Sequence, residues 1–264
     1  MYGYTRCQIE DEIAPPAGET SWLDGECAVC DRQTRFLIDY NYSAASPDGR
    51  IRPNYRERLV CEHCHLNARL RGTLHFMRDQ AKAVPDARIF IAEQVTPFFK
   101  ELTDRFTRVT GSEFLRDGTA PGRTNAAGIR HEDATALTFA DGSLDLILSF
   151  EVLEHVPDYL TALREAYRCL APGGRFIFTV PFAPACHEHL ERARLVDGEI
   201  EHILPPEYHG DPVSEDGALC FRYYGWGLLD ELREIGFRDA HNFFYWSRKL
   251  GYIGGAPSIL MATK

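Results

Sequence analysis

Two apolar runs flank a helical pattern in the second half of the chain. Leu144–Phe150 and Arg175–Val180 are apolar on both faces and rich in Leu, Ile and Phe. Strands inside a parallel sheet have this composition because helices cover both sides of the sheet. Apolar residues between the two runs recur at helical spacing and predict a helix: Tyr159, Leu160, Leu163, Ala166, Tyr167 and Leu170. Pro172-Gly173-Gly174 ends this helix. The pattern predicts a βαβ crossover and an open α/β sheet.

Other elements follow from the same periodicities. Strands are predicted at Arg88–Ala92, Thr107–Gly111, around His131–Thr138, and at Ala240–Trp246 and Ser258–Ala262. Helices are predicted at Phe98–Phe106 and Trp226–Ile235. Residues 182–220 have few periodic apolar positions, which favours an irregular insertion. These elements predict seven strands ending in a late pair.

The loop after the first apolar run carries the segment Glu151-Val152-Leu153-Glu154-His155-Val156-Pro157. In open α/β sheets the loop after a strand's carboxyl end faces the ligand. The stretch Asp133–Pro181 reads DATALTFADGSLDLILSFEVLEHVPD and, later, CLAPGGRFIFTVP. It closely resembles the class I S-adenosylmethionine-dependent methyltransferases, in particular the type 11-like group with the pattern xDxxLPFxDxSFDxVxxxxVLEHVxD…LxPGGxLxxxxP. The resemblance implies a Rossmann-like seven-stranded sheet and S-adenosylmethionine as cofactor.

The first turn of the sheet departs from this family. Its members carry a glycine-rich GxGxG turn after the first strand, where this chain has Glu93, Val95 and Pro97. Side chains there narrow the groove and remove the conformational freedom of glycine. One explanation is a rebuilt turn in which Glu93, Gln94 or Thr96 contacts the cofactor's ammonium or carboxylate. The other is a pocket that has lost the cofactor.

Acidic residues at the other expected positions favour the first explanation. Glu113 ends the second strand, where a carboxylate suits the two ribose hydroxyls, although a surface carboxylate at a strand end is the alternative. The resemblance assigns Asp133 and Ala134 to the adenine. Glu151 is expected to line the cofactor side of the loop. A lost pocket would have little reason to keep these acids in register.

Four of the eight cysteines form two pairs with metal-ligand spacing. Cys27-Ala-Val-Cys30 and Cys61-Glu-His-Cys64 predict a structural zinc site, because two such turns complete a tetrahedron of thiolates. His63 and His65 are spare ligands that could replace one cysteine. A redox motif or disulfides are the alternatives, and a cytosolic setting disfavours stable disulfides. The intervening segment is expected to be a hairpin with a long loop.

These patterns divide the chain into segments. We expect a flexible amino terminus over residues 1–20, a zinc-binding module over 21–65 and a linking helix over 66–84. A methyltransferase domain is expected over 85–264, in which the insertion at 182–220 covers the acceptor site. The chain is long enough for one α/β domain and a small appendage.

Histidines supply the candidate catalytic groups. His155 lies beside the expected methyl donor and has an ordinary pKa near neutrality, so it is a candidate base. A structural role in its loop is the alternative, and it is the favoured one. The insertion adds His187, His189, His202 and His209, which could bind a second metal or contact a polar substrate. Of these, His202 and His209 are the further catalytic candidates.

Composition bears on the partners of the chain. The net charge of −10, with 39 acidic and 29 basic residues, disfavours a large nucleic-acid footprint. No apolar run approaches the roughly 20 residues that span a bilayer, so no membrane partner is expected. The amino terminus lacks the pattern of a secretion signal, and a cytoplasmic enzyme is therefore expected.

The acceptor of the methyl group is expected to be small and polar, and sugar-like or phosphorylated. Arg58–Leu66 is similar to the second CxxC of some deoxysugar C-methyltransferases, whereas a few ribosomal RNA methyltransferases also carry an amino-terminal zinc ribbon. Arg50–Lys82 has eight basic and three acidic residues, which leaves an RNA methyltransferase open. A non-catalytic zinc-containing interaction protein on a degenerate methyltransferase fold is the remaining alternative.

Overall fold

Two units make up the fold. The computed structural model describes residues 2–43, 49–255 and 257–264. The first unit comprises Met1–Ala83 and Phe244–Ser258, and the second comprises Val84–Phe243 and Ile259–Lys264. The carboxyl-terminal part of the chain thus contributes residues to both units.

The first unit contains a small antiparallel sheet and two helices. Its elements are α1 (Tyr2–Ile13), β1 (Ser21–Cys27), β2 (Arg32–Ile38), β3 (Val60–Cys61) and α2 (Ala68–Asp79). The strand order is β1-β2-β3, and both pairs are antiparallel. This confirms the predicted hairpin between the two CxxC motifs, of whose loop residues 44–48 lie outside the described part of the chain.

Helix α1 occupies the region for which the sequence predicts a flexible amino terminus. Glu10 is buried, and its carbonyl accepts a hydrogen bond from the Tyr55 hydroxyl. The Glu10 carboxylate accepts the Gly254 amide at 3.0 Å. These long-range contacts give the helix partners far away in the sequence, which local composition does not reveal.

Arg71 on α2 is fully buried within the first unit. Its guanidinium donates to the carbonyls of Leu250 at 2.7 Å and of Leu59 and Gly251 at 3.0 Å each. It also lies 4.0 Å from the centre of the Phe36 ring. Since Leu59 immediately precedes β3, one side chain joins α2 to the strand that carries Cys61.

We expect Arg71→Met to lower the free energy of unfolding by about 3 kcal/mol, because three buried carbonyls lose a charged donor while the volume of the side chain is largely kept. Urea denaturation measures this loss. Arg32→Met, at an exposed position on β2, is the matched control and should change stability by less than about 0.5 kcal/mol. Equal stability of the two variants would contradict the assignment.

The second unit contains a six-stranded mixed sheet. Its first elements are β4 (Arg88–Ile91), α3 (Pro97–Arg105), β5 (Arg108–Gly111), β6 (Leu144–Phe150), a 3₁₀ turn (Leu153–His155), α4 (Tyr159–Cys169) and β7 (Leu170–Thr179). The insertion contributes β8 (Leu190–Glu191), β9 (Ala193–Val196), β10 (Glu199–His202), β11 (Tyr208–Asp211), β12 (Ser214–Leu219) and β13 (Arg222–Tyr223). The last elements are α5 (Gly227–Ile235), β14 (Asp239–Phe244) and β15 (Ser258–Thr263).

The order of the main sheet is β14-β15-β7-β6-β4-β5. Strands β5, β4, β6 and β7 run parallel to one another, and β15 is antiparallel to β7. The α/β class, the βαβ crossover and the late pair of strands are confirmed. Strand β6 is buried along most of its length, which explains why its sequence is apolar on both faces.

The ends of the helices follow local chemistry. Asp158 caps α4 by accepting the Thr161 amide at 3.1 Å. Helix α5 ends at Gly236, where φ is +123° and an added Cβ would lie 3.0 Å from the Tyr167 ring, so a larger residue would be strained and crowded. In the described ranges, no helix combines the length and the apolarity that crossing a membrane requires.

The predicted third strand of the sheet is wrong. Around His131–Thr138 the described residues form only an isolated parallel bridge, between Glu113 and His131. The backbone turns directly afterwards, because Asp133 accepts the Thr135 amide on its side chain and the Ala136 amide on its carbonyl. The chain therefore leaves the sheet at this point, and the main sheet has six strands where the sequence predicts seven.

The insertion is more regular than its sequence pattern predicts. Three antiparallel pairs form within residues 182–223: β9 with β10, β11 with β12, and β8 with β13. Asp197 and Gly198 both have positive φ, of 51° and 84°, in the turn that joins β9 to β10. Two central residues with positive φ are the requirement of a type I′ turn, for which Asp-Gly is a preferred sequence.

Candidate functional site

The loops that follow the parallel strands meet at one edge of the main sheet. Ser112, directly after β5, donates its amide to the Ile91 carbonyl at the end of β4, at 3.2 Å. Glu151, directly after β6, donates its amide to the Thr179 carbonyl at the end of β7, at 3.0 Å. The polar residues after these strands therefore lie side by side along the carboxyl edge, where open α/β sheets bind ligands.

Glu113 closes the glycine-free first turn. Its Oε1 accepts the amides of Gln94 and Val95 at 2.7 and 3.0 Å. These bonds fix the backbone of a turn that has no glycine, because they hold two consecutive amides toward one carboxylate. Its Oε2 accepts neither amide. Burial raises the pKa of the Glu113 carboxyl above its ordinary value, and the two amides act against that shift.

The predicted cofactor contacts on the first turn are engaged within the loop. The Thr96 hydroxyl donates to Glu93 Oε1 at 2.8 Å, and Thr96 is also the amino-terminal cap of α3. Gln94 donates its side-chain amide to the Gly128 carbonyl at 2.9 Å and accepts the Arg130 amide at 2.8 Å. Gln94 thus ties the turn to the following segment, which leaves its assignment to the cofactor a prediction.

Asp133 and Ala134 follow the bridge that pairs Glu113 with His131. Asp133 Oδ1 accepts the Thr135 amide at 2.8 Å and the Thr135 hydroxyl at 2.7 Å, whereas Oδ2 accepts neither. Ala134 is half-buried and packs against the core of the second unit. Asp133 therefore shares a feature with Glu113: one carboxylate oxygen holds the loop and the other does not.

Glu151 begins the loop after β6 in an uncommon backbone conformation. Its φ is +56°, in the left-handed region that non-glycine residues rarely adopt. The backbone bond to Thr179 holds this conformation. Such strain concentrates where a loop is held for function, and it turns the chain into the 3₁₀ segment that carries Glu154 and His155.

The insertion is bound to this loop by several hydrogen bonds. The Phe221 amide donates to the Glu154 carbonyl at 2.7 Å, and the Tyr224 hydroxyl donates to the Leu153 carbonyl at 2.9 Å. Arg222 donates to the carbonyls of Val156 and Pro157 at 3.0 and 2.9 Å. The β8–β13 part of the insertion is therefore fixed to the loop after β6.

Two of the predicted catalytic histidines meet around a buried carboxylate. Glu154 is fully buried, and neither of its carboxylate oxygens has a hydrogen-bond partner among the described residues. His209 Nδ1 lies 3.5 Å from Glu154 Oε1, and His155 Nε2 lies 3.7 Å from the same oxygen. Burial raises the pKa of Glu154, the carboxylate beside it raises the pKa of His209, and burial lowers the pKa of His155.

The other histidines of the insertion lie apart from this cluster. His202 is at the exposed end of β10. His187 and His189 lie 3.2 and 3.1 Å from the carboxylates of Asp230 and Glu231 on α5. A metal site made of the four insertion histidines, which the sequence left open, is therefore not formed; only His209 joins His155.

Three acidic residues near the site are absent from the sequence-based list. Glu154 was named only as a member of the loop segment that follows the first apolar run, although it is the centre of the cluster. Glu207 Oε1 lies 3.1 Å from His209 Nε2. Asp211 on β11 is close enough to raise the pKa of Glu113. The spacing of Glu207, His209 and Asp211 at every second position was the available signal, although β11 begins only at Tyr208 and its pairing shifts between His209 and Asp211.

The four cysteines of the two CxxC motifs converge in the first unit. Their sulfur atoms all lie within 4.8 Å of one another. The Cys27–Cys64 and Cys30–Cys61 sulfur distances are both 3.9 Å, close to the edge of about 3.8 Å of a tetrahedron with zinc–sulfur bonds of about 2.3 Å. All four are free thiols in the structure, and the spacing is too long for a disulfide, which needs about 2.05 Å.

The two CxxC turns have matching backbones. Asp31 and His65, the residues after each motif, both have left-handed φ values, of 53° and 58°. The Asp31 amide donates to the Cys27 carbonyl at 2.8 Å, and the His65 amide donates to the Cys61 carbonyl at 3.0 Å. The His63 amide also points to Cys61 Sγ at 3.4 Å, an arrangement that favours a thiolate. Neither histidine is part of the cysteine cluster.

Comparison with known proteins identifies one matching family. Residues 96–178 match the family model described as a methyltransferase domain. This segment is less than half of the chain, and it includes Glu113, Asp133, Glu151, Glu154 and His155. Glu93, Gln94 and Val95 of the first turn lie outside it, as does the insertion with His209. The match therefore covers the carboxyl edge from β5 to β7 and not the cover provided by the insertion.

Individual relatives match over short regions. A demethylmenaquinone methyltransferase from Staphylococcus epidermidis is 37% identical over 75 residues, which are 26% of this chain and 31% of the relative. An arsenite methyltransferase from Aquipseudomonas alcaligenes is 48% identical over 52 residues, 20% of this chain and 15% of the relative. The chain thus spans less than a third of either relative. A solved S-adenosylmethionine-dependent methyltransferase from Mesorhizobium loti aligns with a TM-score of 0.45 at 18% identity, over 74% of this chain and 100% of that chain.

We expect Glu113→Ala to release the first turn. The amides of Gln94 and Val95 would lose their acceptor, so their hydrogen exchange should become about tenfold faster or more. Exchange resolved by NMR measures both. Glu113→Gln keeps an acceptor oxygen and should retain most of the protection, and the Phe99 amide, which Thr96 accepts, is the internal control. Unchanged exchange at Gln94 and Val95 in the alanine variant would refute this role.

Proposed function

We propose that the chain is an S-adenosylmethionine-dependent methyltransferase that acts on a small polar, sugar-like or phosphorylated acceptor. One observation carries the proposal: Glu113 and Asp133 each use one carboxylate oxygen to hold a loop and keep the other oxygen out of those bonds. Both residues lie at the carboxyl edge and inside the segment that matches the methyltransferase family model. This arrangement suits a ligand that brings donors to both positions.

The residues at the edge fit the parts of the cofactor. The free oxygen of Glu113 suits the ribose hydroxyls, and that of Asp133 suits the exocyclic amine of adenine, with the Ala134 amide beside it. Glu151 supplies negative charge at the end of β6, toward the positively charged sulfonium. The first turn is held by Glu113 without glycine, which supports a rebuilt turn over a lost pocket.

When bound, S-adenosylmethionine supplies an electrophilic methyl group on a good leaving group. The residues of the chain then have to orient the acceptor, exclude water and, for a hydroxyl acceptor, hold its proton. Hairpin β11–β12 brings Asp211 near both Glu113 and His155, so it covers the edge and excludes water. His155 is the candidate base, since its lowered pKa keeps it neutral and able to accept a proton, whereas the raised pKa of His209 suits that imidazole to hold one.

A small acceptor is favoured over RNA. Two of the relatives are named for substrates other than RNA, demethylmenaquinone and arsenite, although each matches over a short region. The net charge of −10 disfavours the phosphate-driven binding on which RNA enzymes rely. The groups facing the loop from β11 are carboxylates and an imidazole, which suit a polar neutral acceptor.

We also propose that Cys27, Cys30, Cys61 and Cys64 hold a structural zinc ion. The support is the tetrahedral spacing of the four sulfur atoms and the matching of the two turns. A closed set of four thiolates leaves no position for a substrate, so this ion would stabilise the first unit and take no part in catalysis.

We expect Asp133→Asn to weaken S-adenosylmethionine binding about tenfold. The amide oxygen can still accept the bonds of Thr135, which turns the NH₂ group toward the adenine amine, where an acceptor is required. Titration calorimetry measures the change. Asp117→Asn is the matched control, because Asp117 also accepts a local amide, that of Thr119, but lies outside the carboxyl edge.

Either of two results would end the proposal of a methyltransferase. The first is the absence of binding heat for the parent chain at about 1 mM cofactor, a concentration at which even a weak site would be occupied. The second is an equal effect of the Asp133 and Asp117 substitutions. Binding without any turnover of small polar acceptors would instead restrict the error to the acceptor class.

We expect the purified chain to contain one zinc ion per molecule and the double variant Cys61→Ser/Cys64→Ser to contain none, since two of four thiolates are lost. Elemental analysis measures the content. Cys186→Ser, at an exposed cysteine outside the cluster, should keep the metal. A double variant that retains a full equivalent would show that the cysteine cluster is not the zinc site.

A further inference from the structure

We propose that Glu154, His155 and His209 form a second metal site, which binds a divalent transition-metal ion at the carboxyl edge of the main sheet. All three residues belong to the second unit. One donor atom from each lies within 4.8 Å of the others. The ion would take the place of His155 as the group that acts on the acceptor's proton, because a metal-bound imidazole cannot accept one, and its binding can be tested without the proposed function.

The carboxylate of Glu154 requires a positively charged partner. Glu154 is fully buried, and neither oxygen accepts a hydrogen bond from any described residue. Leaving an ionised carboxylate buried without a partner is costly, so native proteins pair such groups with a charge or a metal. The only charged neighbours of Glu154 Oε1 within ion-pair distance among the described residues are His155 and His209.

The histidines are held with one ring nitrogen each turned to this oxygen. His155 Nδ1 lies 2.8 Å from the Leu219 carbonyl, which can only accept, so Nδ1 carries the proton and Nε2 presents a lone pair toward Glu154. His209 Nε2 lies 3.1 Å from Glu207, which places its proton there and leaves Nδ1 toward Glu154. A carbonyl or carboxylate behind an imidazole is the usual support of a metal-ligating histidine.

In the form that binds a metal, with both imidazoles neutral, three acceptors converge without a donor between them. Two nitrogen lone pairs and a carboxylate then face one another, and a cation among them is required. A proton on His209 Nδ1 is the simplest alternative. That proton would be shared only with Glu154, across the 3.5 Å contact. The lone pair of His155 Nε2 would still face the same oxygen at 3.7 Å. A metal ion accepts electron pairs from all three groups at once.

The residue that holds the His209 ring is itself held by further hydrogen bonds. Glu207, which holds His209 Nε2, accepts the Tyr223 hydroxyl and lies 3.1 Å from Arg192. The Arg192 guanidinium also donates to the Pro205 carbonyl at 3.0 Å. This second layer fixes the ring of His209, which otherwise lies on a hairpin that is partly exposed.

The donor set indicates the class of ion. Two imidazoles and one carboxylate suit manganese, iron, cobalt or zinc, and they are unsuited to calcium, which takes oxygen ligands. With bonds of about 2.1 Å, ligand atoms lie about 3.0–3.4 Å apart. The observed separations of 3.5 and 3.7 Å from Glu154 Oε1 therefore require a contraction of only a few tenths of an ångström. Three protein ligands leave positions open for an acceptor oxygen, whose pKa a metal would lower.

A neighbouring group, Glu207, His209 and Cys220, also has metal-ligand spacing. It is the weaker candidate because its polar atoms already satisfy one another. His209 Nε2 pairs with Glu207, and the Cys220 thiol donates to the Arg222 carbonyl at 3.5 Å. Burial also raises the pKa of the Cys220 thiol to about 12, which opposes the thiolate form that a metal requires.

The test is manganese binding to the full chain that carries one equivalent of zinc, followed by electron paramagnetic resonance without cofactor. Manganese prefers oxygen and nitrogen ligands, so it reports this site and not the cysteine cluster. We expect the parent chain to bind one equivalent, and Glu154→Gln and His209→Ala to weaken that binding about a hundredfold. His187→Ala is the matched control, because His187 lies in the same insertion and pairs with a carboxylate outside the cluster, that of Asp230, and this variant should bind as the parent chain does.

Three results would overturn the site: no manganese binding by the parent chain, equal loss in His187→Ala and His209→Ala, or loss in Cys220→Ala comparable to that in Glu154→Gln. Thermal unfolding of each variant shows whether it is folded; should Glu154→Gln fail to fold, His209→Ala, at a half-buried position, decides the question. Cofactor calorimetry on the same samples separates the two proposals, since metal binding without cofactor binding would refute only the methyltransferase.

Discussion

The burial of the Glu154 carboxylate is the constraint around which the second unit is arranged. A carboxylate with no exposure has to face positive charge, and the described groups within ion-pair distance of it are His155 and His209, of which His209 lies on a hairpin more than fifty residues away. The backbone of Glu154 also accepts the Phe221 amide, so the same residue fixes the insertion through its main chain. The loop after β6, the insertion and the carboxyl edge of the sheet are thereby held in one arrangement.

The elements that the sequence predicted well are those decided by local pattern. Strand β6 is apolar on both faces and α4 has an apolar stripe with a capping Asp158, so periodicity alone was sufficient. The third strand failed for an equally local reason, since Asp133 and Thr135 turn the backbone out of the sheet. The insertion was underestimated because its apolar residues are few, although the Asp197-Gly198 pair was a readable hairpin signal.

The candidate site was predictable in part. The spacing of the cysteines indicated their convergence, position after a strand indicated Glu113 and His155, and the family resemblance indicated Asp133. The pairing of His209 with Glu154 was not predictable, because it depends on the register of β11 against β12 and on how the insertion folds back. No local sequence feature decides between His202 and His209. The two differ in the fold, because His202 ends an exposed strand, whereas His209 lies on a strand that faces the loop after β6.

The missing glycines of the first turn now have a physical explanation. A glycine-rich turn offers its amides to a ligand because nothing else binds them, whereas here Gln94 and Val95 give their amides to Glu113. If Glu113 also contacts the ribose, as the proposed function has it, protonation or loss of that carboxyl would open the turn and remove the ribose contact together. Cofactor affinity in this chain should therefore depend on Glu113 more steeply than in a protein whose turn is held by glycine, where the acid has a single role.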